Sequence, residues 1–540
     1  MTAPRSVARA AAGMGVATAV SRAFGFVRVL VIAAVLGTTY LGNTYQASNS
    51  FANVLFELLA AGALSAVLVP TFVELIDAGN EPEAERLAGN VLGRALVWLG
   101  AVTVVCMVAA PWIARFLMSG ADEGVRTRQE ELSTFFLRFF VPQILLYALG
   151  TVSVAALYAK RRFAITALAP IGLTVVVVGA LIAFRALTGP GDAGLELSLA
   201  EKLTLALGGT LGVAAFVGVP AVALRRSGFR LRPRFDRHDP AVGKLMRLSG
   251  WAVFQHSMIG ILLVTAIVNG NRVSGGVIAY QVAWIFFLAP YAVLAQPIHT
   301  AALPELSAQE TQGDRGSFAT SLRWALDSMA MLVVPVSIAM AALALPAMRL
   351  VVFGEAARGG VELLAAGVAS LASGLFFYGA FLLLARAYYA LGDSRTPALV
   401  ALGSAIVGAA VMAVGSRAVD GTAVVAALGI GHSVAYLVGA IALAIGLSRR
   451  TGRAVVPAAL PRAVLLAAPL GAAAWLVARW SSPDGRLGNL ILLALVGSIG
   501  GGLYLLGVRA TGGPALRLRR GRGAGADLTD LDPDSAEVDV

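Results

Sequence analysis

The chain has 540 residues, of which 58% are hydrophobic and only 13% charged, with a formal net charge of +12 and a mean hydropathy of +0.80. Ordinary soluble domains carry about 25% charged residues, so most of this chain is expected to lie in lipid. A single cysteine, Cys106, excludes an internal disulfide and a Cys-rich metal site, the four scattered histidines suggest no metal cluster, and no Gly-rich phosphate loop is present to make the chain its own ATPase.

Backbone groups in hydrocarbon must be satisfied internally, and apolar runs of about twenty residues are too long for barrel strands, so the runs are read as helices. Spans are expected at 12–36, 44–76, 88–117, 133–158, 164–187, 199–224, 248–268, 276–305, 322–347, 361–391, 396–416, 421–447, 459–479 and 488–509. The first carries Arg22 and Arg28, which a cleavable signal segment would not tolerate. Six residues set them about 120° apart on an ideal helix. They read as a cationic cavity wall, with snorkelling of Arg22 toward the near interface as the alternative.

In the second span Gln46, Asn49, Ser50, Asn53 and Glu57 recur at intervals of three and four, which places them on one helix face. Buried polar groups are costly in lipid, so this stripe faces either a cavity or a neighbouring helix. Glu57 is a candidate proton or cation site, or the partner of an arginine. Gln255 and His256 in the seventh span read as helix-packing groups or as a proton relay. In the eighth, Gln281 opens the span, and Gln296, His299 and Thr300 lie between Pro290 and Pro304, which predict a bend. In the tenth, Arg386 and Tyr389 share a face, and Arg386 is expected either to pair with Asp393 or to line a cavity. The acidic tail from Asp527 to Val540 reads as disordered.

Two features organise the spans. Tyr45-Gln46 followed by Pro70 recurs as Tyr280-Gln281 followed by Pro304, and Ala156-Leu157-Tyr158-Ala159 as Ala387-Tyr388-Tyr389-Ala390, in the same order and at similar spacing. Such duplication predicts two related lobes around a central site, an arrangement found in transporters. Lys160-Arg161-Arg162, the cluster from Arg225 to Arg247, Arg449-Arg450-Arg453 and the run from Arg517 to Arg522 all fall on one side, which is therefore read as cytoplasmic, with both termini there. Contact with anionic membrane lipids accounts for the positive charge without nucleic acid. The expected fold is thus an all-α polytopic membrane protein of about fourteen transmembrane helices, in two pseudo-symmetric six-helix lobes plus two C-terminal helices. The expected units are 1–235, 236–455, 456–512 and the tail 513–540.

Ser21-Arg22-x-x-Gly25-Phe26-x-Arg28, Gly42-Asn43-Thr44-Tyr45-Gln46, the run Leu58 to Ser65 with Val69-Pro70, and the stretch Leu384 to Pro397 resemble the signatures of the MurJ/MviN lipid II flippases. The resemblance implies the multidrug/oligosaccharidyl-lipid/polysaccharide exporter superfamily, in its actinobacterial-like branch, and the bacterial cytoplasmic membrane. It implies flipping of an undecaprenyl-pyrophosphate-linked peptidoglycan precursor by alternating access, driven by membrane potential or an ion gradient. No cofactor is expected beyond a coupling cation or proton. The partners expected are the lipid-linked precursor, anionic lipids and proteins of cell-wall synthesis or division. The last two helices, near 459–509, are expected to form a groove for the prenyl tail.

The cavity set expected is Arg22, Arg28, Asn43, Gln46, Asn49, Asn53, Glu57, Gln281 and Arg386, with Glu57 as the ion-coupling candidate and no catalytic or metal-binding residue. The chain departs from the family pattern at Asn43, Phe56, Glu57, Ala61, Trp284 and Ile285, where an aspartate, an arginine pair, a glutamate and a further arginine are common. The alternatives are a flippase for another polyprenyl-linked glycan, a cation-coupled drug exporter, and a non-transporting cell-wall scaffold.

Overall fold

The computed structural model describes residues 4–57, 62–189, 191, 194–236, 258–481, 483 and 485–511. All regular structure among them is helical. Helices α1 (Pro4–Leu36), α2 (Tyr40–Phe56), α3 (Gly62–Asp77), α4 (Glu81–Val108), α5 (Ala110–Leu117), α6 (Glu123–Phe140), α7 (Gln143–Ala159), α8 (Phe163–Thr188) and α9 (Leu199–Arg226) form the first half. The second half comprises α10 (Met258–Gly270), α11 (Gly276–Pro290), a π-helical turn (Tyr291–Ala295), α12 (Gln296–Thr311), α13 (Arg315–Ala342), α14 (Ala344–Val351), a 3-10 turn (Gly354–Arg358), α15 (Val361–Ala372), α16 (Leu375–Ala390), α17 (Arg395–Arg417) and α18 (Thr422–Thr451). Helices α19 (Ala459–Ser481) and α20 (Gly485–Ala510) follow.

Eleven described helices are long and apolar enough to cross a membrane, or twelve if the pair Val361–Ala372 and Leu375–Ala390, bent by 44°, counts as one span. The expected spans 44–76 and 248–268 lie partly outside the described residues, at 58–61 and 248–257, so eleven or twelve is the number among the described residues alone. Expected boundaries shift where the chain breaks: 88–117 divides into α4 and α5, and 133–158 belongs to a longer unit, Glu123–Ala159. Gln255 and His256, and the tail beyond 511, lie outside the described residues.

Local chemistry sets many of the breaks. Thr39 caps α2 by accepting from the Gly42 N–H at 3.2 Å, and Ser198 and Glu201 form a capping box at the start of α9. Asp314 accepts from the Ser317 N–H at 2.9 Å at the start of α13. Packing is mostly within each half, α8 on α9 and α1 in the first, α18 on α17, α15 and α16 in the second. Helix α19 lies against α13, while α20 lies against α14 and α19. Few side chains of α19 and α20 are buried, so this pair is peripheral.

The halves meet most tightly at the end opposite the basic loops. Asn43 is fully buried; its amide donates to Val273 O and its carbonyl accepts from the Val277 N–H, both at 2.9 Å. Ser274 Oγ donates to Thr38 O at 3.2 Å, and Arg185 of α8 pairs with the buried Glu355 of the 3-10 turn. Glycine permits this approach. A Cβ on Gly42 would stand 2.3 Å from Ile278 Cδ1, and one on Gly275, whose φ is +75°, would stand 2.4 Å from Thr38 Cβ.

Candidate functional site

Deeper in the bundle the halves face each other through polar groups. Ser50 Oγ accepts from Gln46 Nε2 at 3.4 Å and from Gln281 Nε2 at 3.0 Å. The two glutamines belong to the duplicated Tyr-Gln pairs, so the repeated motif brings its own copies together on one hydroxyl. Ser50 is buried, and Asn49 and Asn53 are half-buried on α2 without being drawn into that bond. Glu57 ends the stripe and is exposed.

Two clusters of charge flank this link. In the first half, Arg28 is half-buried and lies within electrostatic reach of the Tyr45 and Tyr147 hydroxyls, and Tyr147 also feels Glu57. Tyr147 of α7 thus stands near both the cation of α1 and the carboxylate after α2. The Phe56 ring, 5.3 Å from that of Tyr147, supports the arrangement.

In the second cluster Arg22 Nη2 donates across the seam to Gln296 Oε1 at 3.4 Å. Arg22 and Arg386, from opposite halves, both act on the Tyr291 hydroxyl. Arg386 also lies near His299, Tyr378 and Tyr389. An aromatic floor backs the pair: Tyr291 and Tyr378 meet edge-on at 4.7 Å, and Tyr378 and Tyr436 at 4.8 Å. The Tyr280 hydroxyl and His432 Nδ1 are 2.5 Å apart behind it.

The backbone explains why Tyr291 and Gln296 reach the seam. The predicted bend in the eighth span is a π-helical turn, Tyr291–Ala295, set between Pro290 and Pro297. Proline removes a helical N–H and crowds the preceding turn, and π-turns relieve that strain while rotating the following side chains.

Of the residues expected to line a cavity, Arg22, Gln46, Gln281 and Arg386 lie along this seam, with Arg28 and Glu57 beside it. Asn43 does not: both ends of its amide are used in joining the halves at the closed end. The expected Arg386–Asp393 pair is also corrected. Asp393 accepts from Thr396 N at 2.9 Å and Thr396 Oγ1 at 2.6 Å, capping α17, and pairs with Arg450 at 2.5 Å. Helix-capping geometry holds the carboxylate three residues before Thr396, on the loop, while Arg386 is still inside α16. Burial opposes its charge, but the Thr396 hydrogen bonds and the Arg450 guanidinium hold the Asp393 carboxyl below its ordinary range. Thr300 bonds back to Gln296 O in its own helix, and His299 is buried beside Tyr291. Sequence reading missed Tyr147, Tyr291 and Tyr378; the Pro290–Pro297 spacing was the available signal for Tyr291.

A second feature lies on the outside of the second half. A cavity of about 950 Å³ is walled by Leu326 of α13, α16, α18, the 452–457 segment and Leu460 of α19, with Arg449 and Arg453 at its basic end. It continues, through the shared Phe376, Phe377 and Leu460, into a second of about 580 Å³ between α13, α16 and α19. The groove is therefore built on α19 with the second half. Helix α20 lines neither of these two parts.

Eleven or twelve helices among the described residues that are long and apolar enough to cross a membrane, two packed halves and a polar, cationic seam between them define a multi-pass membrane transporter. The model of the lipid II flippase MurJ family matches residues 32–495, and the chain belongs to that family. It is similar to the lipid II flippase MurJ of Burkholderia cenocepacia, 25% identical over 72% of this chain and 74% of that protein. It is also similar to the probable lipid II flippases MurJ of Haemophilus influenzae, 26% identical over 71% of this chain and 76% of that one, and of Rhizobium tropici, 27% identical over 61% of this chain. The last match spans 60% of the relative's length. Among solved structures the fold matches a lipid II flippase MurJ in an inward closed conformation, with TM-score 0.72 at 17% identity, over 92% of this chain and 98% of that one. An inward-facing MATE-family multidrug resistance transporter of the MOP superfamily matches with TM-score 0.63 at 14% identity, over 80% and 94%.

Proposed function

We propose that this chain moves lipid II, the polyprenyl-pyrophosphate-linked peptidoglycan precursor, from the cytoplasmic to the outer leaflet of the bacterial inner membrane. The observation that carries the reading is the hydrogen bond that Arg22 of the first half donates to Gln296 of the second at 3.4 Å, in a chain of the MurJ family. A pyrophosphate crossing about 30 Å of hydrocarbon needs fixed cations, and guanidinium stays charged and meets phosphate oxygens through a planar fork. The basic loops face the cytoplasm, as positive charge favours, so the tight seam at Asn43 closes the outer end. Rocking of the halves about the Ser50 link then exposes the arginines to each side in turn. The prenyl tail stays in lipid, and the groove along α19 is its track.

An inside-negative potential drives an anionic head outward with about 2.3 kcal/mol per charge per 100 mV. Glu57, near Tyr147, is the candidate for a coupling proton or cation, and proteins of cell-wall synthesis or division are candidate partners of the chain. The test is replacement of the resident flippase in a depleted bacterium, with lipid II on the outer leaflet as the readout. Rescue by the wild type and none by Arg22→Ala or Arg386→Ala, at equal membrane expression, supports the reading. Rescue by both variants refutes an arginine-held pyrophosphate, and loss of rescue only on deleting the tail favours a scaffold.

A further inference from the structure

In α11 and the π-helical turn after it, Gln281, Trp284, Leu288 and Tyr291 follow at intervals of three and four, which stacks them in one stripe. The two ends of the stripe touch the seam. Gln281 donates to Ser50 of the first half, and Gln296, whose N–H bonds Tyr291 O, accepts from Arg22. Between those ends Trp284 is only half-buried. Three groups of the second half fix it from behind. It stacks on Phe287 with ring centroids 5.1 Å and planes 19° apart, meets Tyr378 edge-on at 5.9 Å and lies 4.6 Å from the His432 ring. All three are buried, and the Tyr280 hydroxyl, 2.5 Å from His432 Nδ1, braces the imidazole in turn. An indole held in this way loses little freedom when a ligand covers its remaining surface.

We propose that Trp284 is the platform on which the transported head lays a sugar ring, a specificity contact added to the cations of the seam. This rests on the reading of the chain as a carrier of a polyprenyl-pyrophosphate-linked glycan. The face of an aromatic ring is negative, and the C–H bonds on the flat face of a pyranose are polarised positive, so the two stack. Hydroxyls at the rim of the sugar accept from the indole N–H or keep their water. Other parts of the substrate suit the place less well. A diphosphate is repelled by a negative ring face, and a prenyl chain gains nothing beside Gln281 and the Arg22–Gln296 pair, since it is at home in lipid. The order along the stripe also matches the order of the head. Tyr378 links Trp284 to Tyr291 by two ring contacts, of 5.9 and 4.7 Å, so the platform and the Arg22 site are close enough to be met by neighbouring groups of one ligand.

The experiment is native mass spectrometry of the full chain titrated with lipid II and with undecaprenyl pyrophosphate, which keeps the tail and the diphosphate but has no sugar. Wild type should retain lipid II better. Trp284→Leu should weaken lipid II about fivefold, the worth of roughly one aromatic contact, and leave undecaprenyl pyrophosphate as it was. Trp284→Tyr, which keeps a ring, should recover most of the loss. Arg22→Ala should weaken both lipids. Unchanged binding of undecaprenyl pyrophosphate to Trp284→Leu also shows that the variant is folded. Equal loss of both lipids in Trp284→Leu would make Trp284 a packing residue and overturn the proposal, and so would equal retention of lipid II by Trp284→Leu and wild type. The two readings fail differently. Loss of both lipids in Arg22→Ala with none in Trp284→Leu leaves the flippase reading standing and removes this one, whereas a wild type that retains neither lipid removes both.

Discussion

Gln281 donates its side-chain amide to the Ser50 hydroxyl at 3.0 Å, joining the eleventh helix to the second across the line between the halves. Gln46 reaches the same oxygen from within α2. A hydroxyl that accepts from both copies of a duplicated motif is a pivot: it survives small rotations of either half better than a packed apolar contact would, because the amides can follow it. On either side of it stand groups with opposite duties, the cations of the seam and the polar pins of the closed end.

The arginines should be separable from the pins by their effect. Arg22→Ala and Arg386→Ala are each expected to lower outer-leaflet lipid II by about tenfold or more, given roughly 1.5–3 kcal/mol for a hydrogen bond to a charged group. Thermal unfolding should hardly move, since Arg22 is exposed. Arg386→Lys should retain part of the activity, because charge persists while the planar fork is lost. Equal activity for Arg386→Ala and Arg386→Lys would show that the guanidinium charge is not what the substrate needs.

Asn43→Ala should loosen the closed end. The change leaves the Val277 N–H buried without its partner, at about 1–3 kcal/mol, while the Val273 carbonyl keeps the Gly276 N–H at 3.1 Å. A cysteine placed at Ser274 in a Cys106→Ala background would report the opening by its rate of modification from outside. Faster modification together with a lower melting temperature is expected; an unchanged rate would show that the halves stay closed without Asn43.

Arg185 and Glu355 join the halves at the same end, and the Glu355 side chain is only 5% exposed. Arg185→Gln strands part of that buried charge. Arg358 still pairs with it at 2.8 Å, so the loss should fall below the roughly 3–5 kcal/mol of a fully broken buried pair. Adding Glu355→Gln should recover some stability, a coupling that a double-mutant cycle in detergent reads directly. Strict additivity would mean the two side chains do not act as a pair.

Asp393 sets an acid limit on the loop between α16 and α17. Its carboxyl is held below the ordinary range, so the stabilisation it contributes is complete above about pH 4 and is lost as pH falls through the lowered value. The Asp393 side chain is 19% exposed but its partner Arg450 is 45% exposed, and screening at that surface keeps the effect small. Arg450→Gln and Asp393→Asn should both flatten the acid limb of the melting profile. An acid limb identical to wild type in Asp393→Asn would assign it to other carboxylates.

The membrane character, the all-helical fold and the polar stripe on the second span were legible in the chain because they depend on local hydropathy and on spacings of three and four, which a helix turns into a face within one segment. The duplicated motif was legible too, and both of its glutamines, Gln46 and Gln281, bond Ser50. The internal breaks of the spans were not, since one such as that between α4 and α5 depends on packing and not on apolar length.

What the sequence by itself determined is therefore a set of helices, their apolar and polar faces and a kinship between two halves. What only the tertiary structure decided is which polar groups meet. Asn43 joins the halves at residues 230 and more positions away, Asp393 takes Arg450 over Arg386, and Arg22 meets Gln296 and shares Tyr291 with Arg386. The same is true of the groove, whose walls come from α13, α16, α18 and α19. The physical reason is that helical periodicity says which side of a helix is polar, while the docking of one half against the other sets the neighbour that side will find.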